Sequence, residues 1–171
     1  MHSVELVLDG AADGRIRAQW TALMAAGLPS QARHTGASNR PHITLALAAS
    51  LNTGDLARLI AATVTLPIPL TIGGLLVFGS RRFVLARLVV PSAALLDLQA
   101  GVTSALAEPV DPHHTFAPGR WTPHVTLARR LTADQLAEAA TVLGEVPPVD
   151  AHATSARRWD ITAKQEHWIG G

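Results

Sequence analysis

Apolar and polar positions alternate in some stretches of the chain and recur every three or four residues in others, and the two periods separate predicted strands from predicted helices. Ser3 to Leu8 is rich in Val and Leu and reads as a strand. From Asp9 to Gly27 the apolar residues Ile16, Trp20, Leu23 and Met24 recur at helical spacing, and Gly27-Leu28-Pro29 ends the run. A polar stretch, Ser30 to Asn39, leads to a strand over His42 to Ala49, and Asn52 or Thr53 caps a second helix through Ala62. Ile68 to Phe78 and Phe83 to Val90 form two long strands, with Gly79-Ser80-Arg81-Arg82 as the hairpin turn between them.

Pro91-Ser92 opens a third helix with Leu95, Leu98, Val102 and Leu106 as its buried stripe. A Pro- and His-rich loop, Pro109 to Gly119, precedes a strand over Pro123 to Arg129. Thr132 caps a last helix with Asp134 in its first turn and no Glu at the reciprocal capping position. Ala151 to Arg157 and Trp159 to Ala163 read as closing strands, and Gln165 to Gly171 as an edge or tail. The order is an α+β pattern within one domain spanning residues 1–171.

Within this pattern one phrase occurs twice, once in each half of the chain: Pro41-His42-Ile43-Thr44-Leu45-Ala46 and Pro123-His124-Val125-Thr126-Leu127-Ala128. Strand alternation places His42 and Thr44 on one face and Ile43 and Leu45 on the other. The second copy repeats the division with His124 and Thr126 against Val125 and Leu127. Imidazole is the side chain suited to proton transfer near neutral pH, and two of them can serve as base and acid. A threonine hydroxyl on the same face can donate to a phosphoryl oxygen as charge builds in the transition state. Which histidine is base and which acid is left open by the sequence.

Composition narrows the remaining classes. With 48% apolar and 16% charged residues the chain folds, and a net charge of +1 argues against coating extended nucleic acid. Lys164 is the sole lysine among 14 basic residues. Absence of cysteine removes disulfides, thiol nucleophiles and Cys-based zinc sites. The apolar runs are interrupted by Arg87, Pro91 and Asp97, short of a membrane span, and no secretory signal precedes Asp9. A cytoplasmic monomer without membrane contact is the expectation.

The two motifs resemble those of the 2H phosphoesterases, a family defined by paired His-x-Thr/Ser motifs that includes RNA 2′,3′-cyclic phosphodiesterases, often named 2′-5′ RNA ligases. The resemblance implies a bilobal duplicated fold, two antiparallel β-sheets facing a central cleft with helices on the outside and one motif per lobe. It implies His42 and His124 as catalytic residues and Thr44 and Thr126 as phosphate-binding ones. It further implies hydrolysis of a 2′,3′-cyclic phosphate on a small nucleotide or RNA terminus, with no cofactor and no metal. A basic residue follows the second motif in many members, and Arg129 stands there. The lead-in Gly36 to Pro41 differs from the aromatic- and His-rich lead-in of the bacterial RNA ligase branch.

Trp121, three residues before His124, is a candidate for stacking on a nucleobase or for packing at the strand entry, and Arg40 is a candidate phosphate contact. His113 and His114, with Asp111 nearby, read as a solvated loop rather than metal ligands. A non-catalytic nucleotide or RNA-end binding module on the same fold is the alternative, and a metal-dependent enzyme ranks below both because neither motif contains Asp or Glu.

Overall fold

The computed structural model describes residues 1–111 and 113–170, so Pro112 of the expected loop and Gly171 of the expected tail lie outside the described residues. The elements are β1 (His2–Leu8), α1 (Gly10–Ala25), β2 (His42–Ala48), α2 (Thr53–Ala62), β3 (Ile68–Phe78), β4 (Phe83–Val89), α3 (Ala93–Ala105), β5 (His124–Leu131), α4 (Ala133–Leu143), β6 (Val149–Asp160) and β7 (Gln165–Gly170). A 3-10 turn, Gln31–Arg33, lies between α1 and β2.

Each helix begins where a side chain satisfies its free amides. Asp9 accepts from Ala11 and Ala12, and Ser92 from Leu95. Asn52 and Asp55 close a full capping box on α2. So do Thr132 and Gln135 on α4, which corrects the expectation that the reciprocal position held no acceptor: the amide of Gln135 fills the role expected of Glu. The two closing strands expected over 151–157 and 159–163 are one, β6, and the expected tail is β7, paired along it.

All pairings are antiparallel, and the strand order is β2-β1-β6-β3-β4-β5 with β7 also on β6. The two expected sheets are joined because β6 is long enough to serve both. Its first half, Val149 to Ala153, pairs with β3, and its second half pairs with β1 and β7. The sheet therefore has seven strands, and it curls until β2 and β5, the two ends of its order, approach within 8 Å between Cα atoms.

The order strand, helix, motif strand, helix occurs twice, as β1-α1-β2-α2 and as β4-α3-β5-α4. Packing crosses between the two: α1 lies against β5 and α4, while α3 lies against β2 and α2. Ile16, Trp20 and Leu23 of α1 and Leu95, Leu98 and Val102 of α3 enter one continuous core with Ile43, Leu45, Val125 and Leu127. Among the described residues no helix is long and apolar enough to cross a membrane.

Candidate active site

Burial follows the alternation in both motifs except at Thr126. Ile43, Leu45, Val125 and Leu127 are fully buried, while His42, Thr44 and His124 are half-buried on the opposite face; Thr126, on that same face, is only 8% exposed. Because each motif strand is an end strand of the curled sheet, the two polar faces are brought toward one another rather than separated by the sheet's width. His42 is close enough that its charge acts on His124.

The two imidazoles are held alike. His42 Nδ1 lies 2.8 Å from the carbonyl of Arg40, and His124 Nδ1 lies 2.8 Å from the carbonyl of Thr122. A carbonyl only accepts, so Nδ1 carries the hydrogen in each ring and Nε2 is the atom available for proton transfer. Pro41 and Pro123 fix the chain between each carbonyl and its histidine.

Their surroundings differ. Nε2 of His42 faces the Glu5 carboxylate at 3.7 Å. Glu5 is buried and is held by Ser3 Oγ at 2.5 Å and by Arg157 Nε and Nη2 at 2.9 and 2.8 Å. Arg157 in turn pairs with Glu166 at 2.7 Å, and Glu166 with Arg40 at 3.1 Å. The register explains the row: Thr44 faces Glu5, Glu5 faces Arg157, and Arg157 faces Trp168, so these four share a sheet face. His124 instead packs on the Phe78 ring, with centroids 4.7 Å apart. Burial pushes its pKa below the ordinary value, and the positive charges of Arg129 and His42 act in the same direction, against the hydrogen bond to Thr122.

The threonines are also engaged alike through their backbones. Trp121 Nε1 donates to the Thr44 carbonyl at 3.1 Å, and Trp20 Nε1 donates to the Thr126 carbonyl at 3.0 Å. Gln99 adds a donation to the Leu45 carbonyl at 3.2 Å. These donors satisfy carbonyls on the outer edges of β2 and β5; the end of β2 is also bridged by the segment around Pro109, where Val110 donates to the Leu47 carbonyl at 2.9 Å.

The structure thus brings His42, Thr44, His124 and Thr126 to one region. Arg129 is exposed at its border, near enough for its charge to reach His124. Trp121 is 8% exposed with its indole N–H committed, so of its two expected roles the packing one describes its position. Arg40 is turned toward Glu166 and lies over the Trp168 ring at 5.3 Å. His114 is an exposed loop residue, and Asp111 accepts from the backbone of Thr115 and Phe116. Among the described residues no group of three His, Cys, Asp or Glu side chains could hold a metal ion.

Sequence reasoning missed Glu5, Arg157, Glu166 and Phe78. A Glu and a Ser alternating inside an apolar strand, as Ser3 and Glu5 do, was the available signal that β1 has a polar face.

Comparison with known proteins shows the family. The model of the 2′-5′ RNA ligase superfamily matches residues 13–165, and the chain belongs to that family, whose members are 2H phosphoesterases. Among solved structures, one described as a phosphoesterase superposes with a TM-score of 0.57 at 19% identity, covering 98% of this chain and 92% of its own. Escherichia coli LigT complexed with 3′-AMP gives 0.55 at 16% identity, covering 98% and 91%. Usb1 of Kluyveromyces marxianus gives 0.53 at 12% identity, covering 98% and 96%. At these identities the likeness is one of fold. The search of curated proteins finds no match.

Proposed function

We propose that the protein hydrolyses a 2′,3′-cyclic phosphate, on a small nucleotide or an RNA end, with its two motif histidines as base and acid and without a metal. The observation that carries this reading is the matched pair of rings, each with Nδ1 tied to a carbonyl at 2.8 Å and Nε2 left for chemistry. Membership in a family of phosphoesterases supports the reaction class.

In this reading His124, whose depressed pKa keeps it neutral, takes a proton from water as the water oxygen attacks phosphorus. The P–O bond to one ribose oxygen breaks, and that oxygen receives a proton from Nε2 of His42. Proton charge on His42 is opposite the Glu5 carboxylate, 3.7 Å away. The hydroxyls of Thr44 and Thr126 donate to the non-bridging oxygens as negative charge accumulates on them. Ring opening leaves a phosphomonoester; His124 then releases its proton to solvent and His42 takes one up, which resets the pair. The bound nucleotides of LigT, 3′-AMP and ATP, support a ligand of nucleotide size.

The test is turnover of adenosine 2′,3′-cyclic phosphate, ADP-ribose 1″,2″-cyclic phosphate and RNA with a cyclic end, with EDTA present. His42→Ala and His124→Ala are each expected to lower kcat by about 10²–10⁴. Binding without turnover of every probe by the wild type, or full activity in either variant, would overturn the reading.

A further inference from the structure

β5, the strand that begins at His124, does not finish regularly. Leu85 of β4 faces Ala128, but Phe83 faces Leu131, so β5 carries one residue more than its partner over that interval. The extra residue is accommodated by Arg130, whose φ of 62° lies in the left-handed region that a side-chain-bearing residue rarely occupies. A bulge of this kind breaks alternation. Arg129 and Arg130, although adjacent, consequently line the same open groove.

The groove has a volume of about 700 Å³ and is completed by Gln31, Arg33, His34 and Gln135. No carboxylate lines it. The arginines that form ion pairs are Arg17, Arg40, Arg58 and Arg157, all elsewhere; among the described residues Arg33, Arg129 and Arg130 form none. Arg33 is fixed in place by donation from Nη2 to the carbonyls of Gly27 and Leu28 at 3.2 and 3.1 Å. Three guanidinium groups and an imidazole in one concavity, with no internal counter-charge, form a site for an anion rich in acceptor oxygens. Its volume suits a group of nucleotide size rather than a protein surface.

We propose that this groove is a second anion subsite, holding a phosphate or phosphodiester group of the substrate other than the one placed between the histidines. The link to substrate rests on the phosphoesterase reading above. The shared chemistry is a phosphate oxygen set, supplied either by a terminal phosphate of a small molecule or by the backbone of a second nucleotide. The kinked end of β5 then has a purpose: it turns two consecutive arginines to the same side, one strand-length from the catalytic imidazole.

Binding is measured in the His124→Ala protein, which keeps the groove and stops turnover. The probes are adenosine 2′,3′-cyclic phosphate, its 5′-phosphorylated form, and a diadenylate ending in a 2′,3′-cyclic phosphate. Arg130→Gly is the variant of choice, because glycine accepts the left-handed backbone while the guanidinium is removed. The expected result is a loss of about tenfold in affinity confined to probes that carry a second phosphate. The slope of log affinity against log salt should fall by about 1 for those same probes. A loss for the 5′-phosphorylated mononucleotide alone identifies a terminal phosphate as the ligand; a loss for the diadenylate alone identifies the backbone phosphodiester. Equal weakening of all three probes, no weakening, or no binding of any would overturn the subsite. If the wild-type protein turns over none of the probes while the Arg130-dependent binding persists, the phosphoesterase reading fails and the subsite stands.

Discussion

The indole of Trp121, in the second half of the chain, donates its N–H to the main-chain carbonyl of Thr44 in the first motif, at 3.1 Å. Trp20, in the first half, does the same for Thr126 in the second motif at 3.0 Å. Each half thus supplies the clamp for the other half's motif strand. Each motif strand is paired within its own half, β2 to β1 and β5 to β4, and is tied across to the other half by an indole.

Trp121→Phe removes that donor while keeping an aromatic ring. The Thr44 carbonyl is left without its partner in a largely buried setting, which costs about 1–3 kcal/mol. Urea denaturation is expected to show a loss of this size. Because the freed strand end carries His42 and Thr44, kcat should fall more than the stability loss alone accounts for. Unchanged kcat in a folded variant would show that the clamp does not position the motif.

The Glu5–Arg157 pair is nearly inaccessible, with side-chain exposures of 4% and 3%. Breaking a buried pair by neutralising one partner costs about 3–5 kcal/mol, because the other charge is left in a poorly solvated place. Glu5→Gln should lie at the lower end of that range, since Glu166 still faces Arg157 at 2.7 Å. Combining it with Arg157→Met should recover part of the loss, which a double-mutant cycle in urea would measure.

Gly79 in the β3–β4 hairpin has φ of 94°, and a Cβ built there would sit 2.6 Å from the Arg82 carbonyl oxygen. Backbone conformation and space both exclude alanine. Gly79→Ala is expected to destabilise by about 1–3 kcal/mol. Because Phe78, the ring under His124, is the preceding residue, the pH profile of activity should move as well. Thermal unfolding and a pH–rate profile on the same preparation separate the two effects.

The local periods made most of the fold readable. The apolar faces of Ile43, Leu45, Val125 and Leu127 follow from alternation alone, and the cap at Thr132 follows from residue type, which narrows the start of the second helix to Asn52 or Thr53 and of the third to Pro91-Ser92. What alternation could not supply was pairing between distant strands. That β6 serves both β1 and β3 depends on register over 12 residues, and nothing local marks it. The same holds for the site. The motif residues carry their own signature, whereas Glu5 matters only because pairing with β2 sets it opposite Thr44. Arg130 is likewise unremarkable until the bulge turns it beside Arg129.

The pH dependence of activity follows from the environment of His124. Burial is the main cause of its lowered pKa, and the charges of Arg129 and His42 add to it. In the proposed role of base His124 must be neutral, so the acidic limb of kcat/KM is expected below 6.5, the ordinary histidine value. Arg129→Ala removes one of the lowering charges and should move that limb upward, while Arg129→Lys should leave it in place. Stability carries the opposite face of the same shift. The unfolded chain binds this proton more readily than the folded one, so stability rises with pH between the folded pKa and 6.5 and is lost as pH falls below 6.5. Above that value the group contributes no pH dependence. His124→Gln should therefore flatten the slope of Tm against pH in the acidic window; an unaltered slope would mean that some other group governs it.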